Sequence, residues 1–282
     1  MSHKIELFLI TAIFLDIIFE AELPESVYNS NAIENSTLTI SETERILLEM
    51  EVGRGVPVRE IFEAKNLARL FEYLKNKDKW QELDKDFILL LHQLLLSNID
   101  DRISGRFRGK GEYVRVGTHI APAPEHIAAM LEALIIDHSS DQQSYILDKI
   151  SRFHLEFEHI HPFCDGNGRI GRVLVNYQLM QSGFPPVIIR NKEKQTYYRA
   201  FTEYRASNKR QTGTMDKVLV LALLESFHKR LAYLKGGGII DLSDYAQTNK
   251  KQVNSLLNKA RRQTIPAFRE KGVWKIAKDA IL

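Results

Sequence analysis

Apolar positions recur at three- and four-residue spacing along most of the chain, and that pattern predicts a mostly α protein. The clearest case is 58–76, where Ile61, Ala64, Leu67, Leu70, Phe71 and Leu74 form one stripe with charges opposite. Pro57, just ahead of it, suits a helix start. The segment 87–96 is apolar nearly all round and predicts a central buried helix. Ser41-Glu42-Thr43-Glu44 reads as a capping box that opens a helix running through Met50. Further helical patterns cover 124–136, 141–160, 170–182, 194–206 and 215–234. The exception is 107–116, where Gly109, Gly111 and the alternation in EYVRV predict a short hairpin. Repeats and low-complexity tracts are absent from the sequence.

The apolar stretch 7–15 (LFLITAIFL) follows Lys4 and resembles the core of a signal peptide. Glu6 and Asp16 bracket it, however, no A-x-A-like cleavage site follows, and nine residues cannot span a bilayer. It is expected to belong to a buried amphipathic helix reaching Leu23. No other segment approaches the length of a membrane span, so the expectation is a soluble, cytoplasmic protein with no membrane partner.

Length and composition sharpen this picture in two places. The 282 residues are enough for one large domain or two unequal ones, and 44% hydrophobic with 27% charged residues excludes disordered, collagen-like and coiled-coil classes. The single cysteine, Cys164, rules out an internal disulfide framework and fits a reducing compartment. The net charge of +3 is unevenly spread: nine Lys/Arg against four Asp/Glu give +5 in 241–282, leaving −2 for the rest. Gly236-Gly237-Gly238 marks the boundary of that basic piece. Within it, 243–259 reads as two short helices and 268–276 as a turn with a flanking strand, which together fit a small winged helix-turn-helix. The expected organisation is N-terminal helices over 1–56, a core domain over 57–235 and the winged piece over 239–282.

The chemistry concentrates in 161–172, H-P-F-C-D-G-N-G-R-I-G-R. Pro162 disfavours helix at His161, Asp165-Gly166-Asn167-Gly168 predicts a tight loop, and a new helix should start near Arg169. A glycine-containing loop entering a helix N-terminus points backbone N–H groups into one concavity that suits an anion. Arg169 and Arg172 share a helix face and add planar donors matched to phosphate oxygens. Asp165 is a hard oxygen ligand of the kind that holds Mg²⁺ beside phosphates. His161 has the pKa range suited to taking a proton from a hydroxyl. Together these point to phosphoryl-type transfer to a hydroxyl.

This run matches the signature HPF-x-DGNGR-x-GR of the Fic family at every specified position, and the resemblance extends over roughly 24–235. Members of that family mostly transfer AMP from ATP to protein hydroxyls. The resemblance implies a Fic-fold helical core with a short β-hairpin flap and assigns His161 as catalytic base toward a target Ser, Thr or Tyr. It implies that Asp165 holds Mg²⁺, that Gly166–Gly168 wrap the α- and β-phosphates with Asn167 and Arg169, and that Arg172 receives the γ-phosphate; Ile170 and Gly171 lie in the same stretch. Val116-Gly117-Thr118-His119 resembles the flap, which pins an extended target chain and borders the nucleotide. Tyr197 and Tyr198 match a tyrosine pair lining the adenosine pocket, while a family asparagine nearby is here Arg205. Ser30-Asn31-Ala32-Ile33-Glu34-Asn35 resembles the inhibitory motif [S/T]-x-x-x-E-[G/N], with Glu34 pairing with Arg172 in place of the γ-phosphate. The target, which includes the chain itself, accepts AMP and pyrophosphate leaves. A homodimer would be in keeping with the family, and no segment of the sequence marks an interface.

Other readings compete at single positions. Glu34 could also position water and remove AMP, another phosphate-containing group could be transferred, or the chain could be a DNA-binding regulator with a nucleotide-sensing pocket. A metal site at His154, His159 and His161 with Glu158 lacks the i, i+4 pair, and 105–110 (GRFRGK) lacks P-loop spacing. Cys164 sits at the variable position of the signature. Arg106, Arg108 and Lys110 fit either a solvated hairpin or target capture. The segment 250–262 (KKQVNSLLNKARR), with 265–268 and 273–276, resembles excisionase-type winged DNA binders, and its charge suits phosphate contacts.

Overall fold

The computed structural model describes residues 2–76, 80–207 and 210–282, with side chains from Leu15 onward. The chain opens with one long helix, α1 (Ser2–Ile33), which carries Pro24 within it and runs ten residues beyond the expected end at Leu23. Leu15 and Ile17 are exposed, so the expected burial of this stripe is incomplete; burial at 7–14 lies outside the described side chains. No described helix is long and apolar enough to cross a membrane.

The capping box exists, but two residues earlier than expected. Thr39 accepts from the Glu42 N–H while Glu42 accepts from the Thr39 N–H, opening α2 (Ile40–Glu44). That helix passes into a wide π turn at Arg45–Glu49 and stops at Met50, whose φ is +57°. Both Thr39 and Ser41 are hydroxyl residues three positions ahead of a glutamate, but only Thr39 puts its glutamate at the third helical position.

Helices α3 (Val58–Lys75), α4 (Lys85–Leu96), α5 (Ile127–Ser140), α6 (Ile146–Ile160), α7 (Asn167–Gln181), α8 (Lys194–Ala206) and α9 (Gly213–Lys235) complete the core. The central helix is α7 rather than α4, whose Gln93 face meets solvent. Alpha-7 is polar by sequence, yet Asn176 and Gln178 are buried with their amides bonded to backbone: Asn176 accepts from the Val187 N–H at 2.7 Å and donates to its carbonyl at 3.1 Å. The expected helix over 141–160 begins only at Ile146, because Asp141 accepts from the Gln143 and Ser144 N–H groups and holds a turn.

The hairpin is also displaced. Strands β1 (Arg115–Val116) and β2 (His119–Ile120) pair antiparallel with Val116 opposite His119 across Gly117 at φ +59°. The segment 107–114 is a loop instead, and Arg108 explains why. Its buried guanidinium donates to the carbonyls of His161 (2.8 Å), Glu112 (2.8 Å) and Pro122 (3.0 Å), while Arg106 pairs with Glu112 at 2.7 Å. Neither solvation nor target capture describes Arg108.

Beyond Gly236, which ends α9 at φ +68°, lie β3 (Ile239–Asp241), α10 (Leu242–Thr248), α11 (Val253–Arg261), β4 (Ala267–Glu270) and β5 (Val273–Ala277). The sheet order β3-β5-β4 and the two helices form the expected winged helix-turn-helix. Its wing turns inward. Phe268 is fully buried with Ala232 of α9, Lys271 at the wing tip pairs with Glu44 at 2.8 Å, and Arg269 bonds Glu225 of α9 at 2.6 Å.

Glu225 is buried between Arg190 and Arg269, so truncating it strands two guanidinium groups. Glu225→Ala is expected to cost about 3–5 kcal/mol, read as a lower urea midpoint; an unchanged midpoint would show the network carries no net stabilisation.

Candidate active site

Alpha-6 ends as Pro162 requires, with His161 in the left-handed conformation at φ +50°. The loop that follows is closed by Asn167, whose amide accepts from the Phe163 N–H (2.9 Å) and donates to its carbonyl (2.8 Å). Those two bonds fix the side chain expected at the phosphates. Phe163 in turn stacks on His92 of α4 with ring centroids 3.7 Å apart. Gly105 donates to His92 Nδ1 at 3.1 Å, so Nε2 carries the proton that reaches the Asp165 carbonyl at 3.1 Å. Burial lowers the pKa of His92 to about 4 and keeps it neutral.

Asp165 joins a closed ring of alternating charges. Its carboxylate pairs with Arg59 and, at 3.1 Å, with Arg169; both arginines also meet Glu63 of α3 at 3.0 Å. Burial raises the Asp165 pKa, but Arg169 and Arg59 outweigh it and hold the carboxyl below its usual range. Arg169, expected at the phosphates, is therefore buried and twice partnered.

Arg172, one turn on, is sealed at 4% exposure. Its Nη2 donates to Glu34 Oε1 at 2.8 Å and to the Ser30 carbonyl at 2.8 Å, and its Nε donates to the Ser30 hydroxyl at 2.9 Å. Burial alone would lower its pKa; the Glu34 carboxylate and the Tyr197 hydroxyl raise it overall. The Glu34 carboxylate lies where a side chain on residue 168 would stand, so glycine there lets the carboxylate keep its place. Tyr198 donates to the Ile33 carbonyl at 2.7 Å and so fastens the end of α1, while Asn35 turns the chain away at φ +69°. Tyr197 lines no open pocket here: it is fully buried and bonds His154 Nε2 at 2.7 Å. Of the pair, Tyr198 is the exposed one.

His161 Nδ1 lies 3.5 Å from Glu158 Oε2, which places the other ring nitrogen away from the carboxylate. Burial raises the Glu158 pKa, but His161, His154 and Arg172 outweigh it and favour the carboxylate. His119 of the hairpin bonds the His159 carbonyl at 2.9 Å, while Val116 and Ile120 are exposed. No cluster of three His, Cys, Asp or Glu suited to a metal occurs among the described residues, and buried His154 is held neutral at about 4. Burial, with Glu112 nearby, raises the Cys164 pKa, which leaves its thiol a poor nucleophile.

The fold thus brings His161, Asp165, Gly166, Gly168 and Arg172 to one loop-and-helix start, with Ile170 and Gly171 buried beneath and Glu34 across from it. Gly171 allows close packing: a Cβ there would lie 2.7 Å from the His154 ring and 2.8 Å from Glu158. Sequence reading missed the roles of His92, Arg59, Glu63 and Arg108, all remote along the chain. Glu158 as partner of His161 was findable, since residues three apart share a helix face.

Residues 82–179 match the model of the Fic/DOC family. A Nematostella vectensis protein named protein adenylyltransferase Fic is 36% identical over 182 residues, covering 62% of this chain and 41% of its own length. The chain therefore spans about two fifths of the length of that curated relative. Among solved structures, Fic-1 from C. elegans is similar with a TM-score of 0.66 at 26% identity, covering 77% of this chain and 64% of its own. A Fic family protein from Desulfovibrio desulfuricans G20 has a TM-score of 0.66 over 94% of this chain and 88% of its own; at 22% identity it shows the fold alone.

Burial lowers the pKa of His92, His138 and His154 to about 4, so the unfolded chain takes up these protons first as pH falls. Stability is expected to be full above their unfolded value of about 6.5 and to decline toward pH 4. Urea midpoints across this range should fall, less steeply in His92→Phe; a flat profile would contradict neutral buried imidazoles.

Proposed function

We propose that this chain, whose residues 82–179 match the Fic/DOC family model, is an autoinhibited protein adenylyltransferase that moves AMP from ATP to a Ser, Thr or Tyr hydroxyl of a protein target or of itself. The observation that carries this is the buried Arg172, held by the Glu34 carboxylate just past α1 at one end of an anion-suited loop that has His161 at its other end. In this reaction the target oxygen attacks the α-phosphorus, its proton passes to His161, the bond to the β-phosphate oxygen breaks and pyrophosphate leaves. Glu158, 3.5 Å from the imidazole Nδ1, stabilises the charge the ring gains in that transfer. Gly166 and Gly168 give backbone approach to the phosphates, Arg172 takes the γ-phosphate, and Tyr198 offers a face to adenosine. The exposed Val116–Ile120 hairpin is the place for an extended target segment.

Mg²⁺ fits this site through Asp165, a single hard carboxylate; with so few protein ligands, the phosphates must supply the rest. The ion would neutralise charge on those phosphates, and Asp165 must loosen from Arg59 to hold it. Glu34 blocks the productive pose by occupying Arg172, since misplacing the α-phosphate removes in-line attack. The same carboxylate could serve AMP removal, and that reading shares every residue named here.

A second reading concerns 239–282. The outer face of α11 exposes Asn254, Asn258, Lys259 and Arg261, a polar and basic surface suited to duplex DNA. The wing does not contribute, being turned onto α1 and α9. The single cysteine fits a cytoplasmic setting; a homodimer is consistent with this reading, and no described contact defines it.

Incubation with Mg²⁺ and ATP labelled separately at the α- and γ-phosphates tests the main proposal. Glu34→Gly is expected to raise covalent α-label on the chain about tenfold or more, and Glu34→Gly/His161→Ala to abolish it. Label from the γ-phosphate would instead make the reaction kinase-like, and α-label unchanged by Glu34→Gly would end the inhibitory reading.

A further inference from the structure

Between α8, α9 and the winged piece lies a cleft of about 630 Å³, away from the loop at 161–172. Six cations border it: Arg190, Arg199, Lys217, Arg261, Arg262 and Arg269, against the carboxylates of Glu193 and Glu225. Among the described residues no ion pair engages Lys217 or Arg262, both exposed, and Arg261 bonds only the Asn258 amide at 3.3 Å. Trp274 forms part of the wall, with the Arg269 guanidinium 4.6 Å from its ring centroid. A volume of this size suits a small molecule, and convergent guanidinium groups match phosphate oxygens.

The cleft has a second property. Arg190 reaches from its wall to Glu25 of α1, a carboxylate only 5% exposed that also accepts from the Gly272 N–H of the wing at 3.3 Å. Arg190 and Arg269 share Glu225. An anion entering the cleft competes with Glu25 and Glu225 for these two arginines, and a buried carboxylate that loses its partner destabilises the packing of its helix.

We propose that the cleft binds a small molecule carrying several phosphate groups, and that its occupancy draws Arg190 from Glu25 and loosens α1. The binding and the loosening stand on the geometry of the cleft; only a consequent rise in AMP transfer rests on the inhibitory reading of Glu34. The two are linked reciprocally, so detaching α1 should also tighten the anion.

The chain's two tryptophans are Trp80 and Trp274, so Trp80→Phe leaves Trp274 as sole reporter of the cleft. Titrating this variant with inorganic tripolyphosphate is expected to give a saturable change in its fluorescence, weakened about tenfold or more by the added Lys217→Glu/Arg262→Glu exchange of two exposed charges. In the unsubstituted chain, tripolyphosphate should speed amide hydrogen exchange over 24–33, and the double exchange should suppress that response. No saturable change in either measurement, equal affinity after the exchange, or a response to citrate or a short duplex oligonucleotide alone would overturn the proposal. Faster exchange in 24–33 without a rise in α-label would sink only the inhibitory reading of Glu34.

Discussion

Arg172 is a permanent positive charge held almost entirely out of water, and the surrounding structure answers to it. A guanidinium so placed must be matched by an anion and by acceptors for its remaining N–H groups, since an unmatched one costs several kcal/mol, about 3–5. Ser30 supplies two acceptors, Tyr197 a hydroxyl, and Glu34 the charge. All but Tyr197 come from the end of α1 or just beyond it, so the first helix of the chain completes the electrostatics of the seventh. Under the function proposed above, the same requirement suits this arginine to phosphate once the carboxylate leaves, so inhibition and substrate binding are two ways of satisfying one buried charge.

How that carboxylate leaves depends on what else holds α1. Glu22 pairs with Lys229 and Arg230 of α9, and Glu25 with Arg190, so the middle of the helix is fixed by buried ion pairs. Its end is held by the Tyr198 hydroxyl on the Ile33 carbonyl, by Lys194 on Asn35 at 3.4 Å and by Arg172 itself. Fraying the last turn breaks a few hydrogen bonds near solvent, whereas lifting the whole helix strands several buried charges. Local opening of the last turn is therefore the low-energy motion. Weakening the middle, through Arg190 and the wing, makes that motion easier without touching the loop at 161–172.

The general architecture was legible because helical periodicity is a local property. The amphipathic stripe of α3 and the Pro162 stop can be read from neighbouring letters, and so can the winged motif after the three glycines. The errors came where two local signals competed or where a distant partner decided. Thr39 and Ser41 both look like caps, and only backbone geometry separates them. EYVRV alternates like a strand, yet Arg108 draws that segment onto the His161 carbonyl and moves the hairpin to 115–120. Asn167 and Arg169 carry phosphate-binding chemistry by type, and their contacts with the Phe163 backbone and Glu63 add to that what the pattern does not show. Arg59 lies 106 residues from Asp165, so no pattern within the loop could reveal their pairing.

The central position of α7 ties these observations together. A helix containing Arg169, Arg172, Asn176 and Gln178 has no business in a core on hydrophobicity alone. It is tolerated because Arg169, Arg172 and Asn176 meet partners on α3, on and just past α1, and at Val187, each bringing a different part of the chain to a fixed distance. Gly168 and Gly171 then let Glu34 on one side and the His154–Glu158 pair on the other approach the helix more closely than any side chain would permit. Rigid placement of the loop, neutral burial of the histidines behind it and closure by α1 are therefore consequences of burying this one polar helix. A substitution that merely made α7 more hydrophobic would improve its transfer free energy and remove the contacts that position His161 and Glu34 relative to each other.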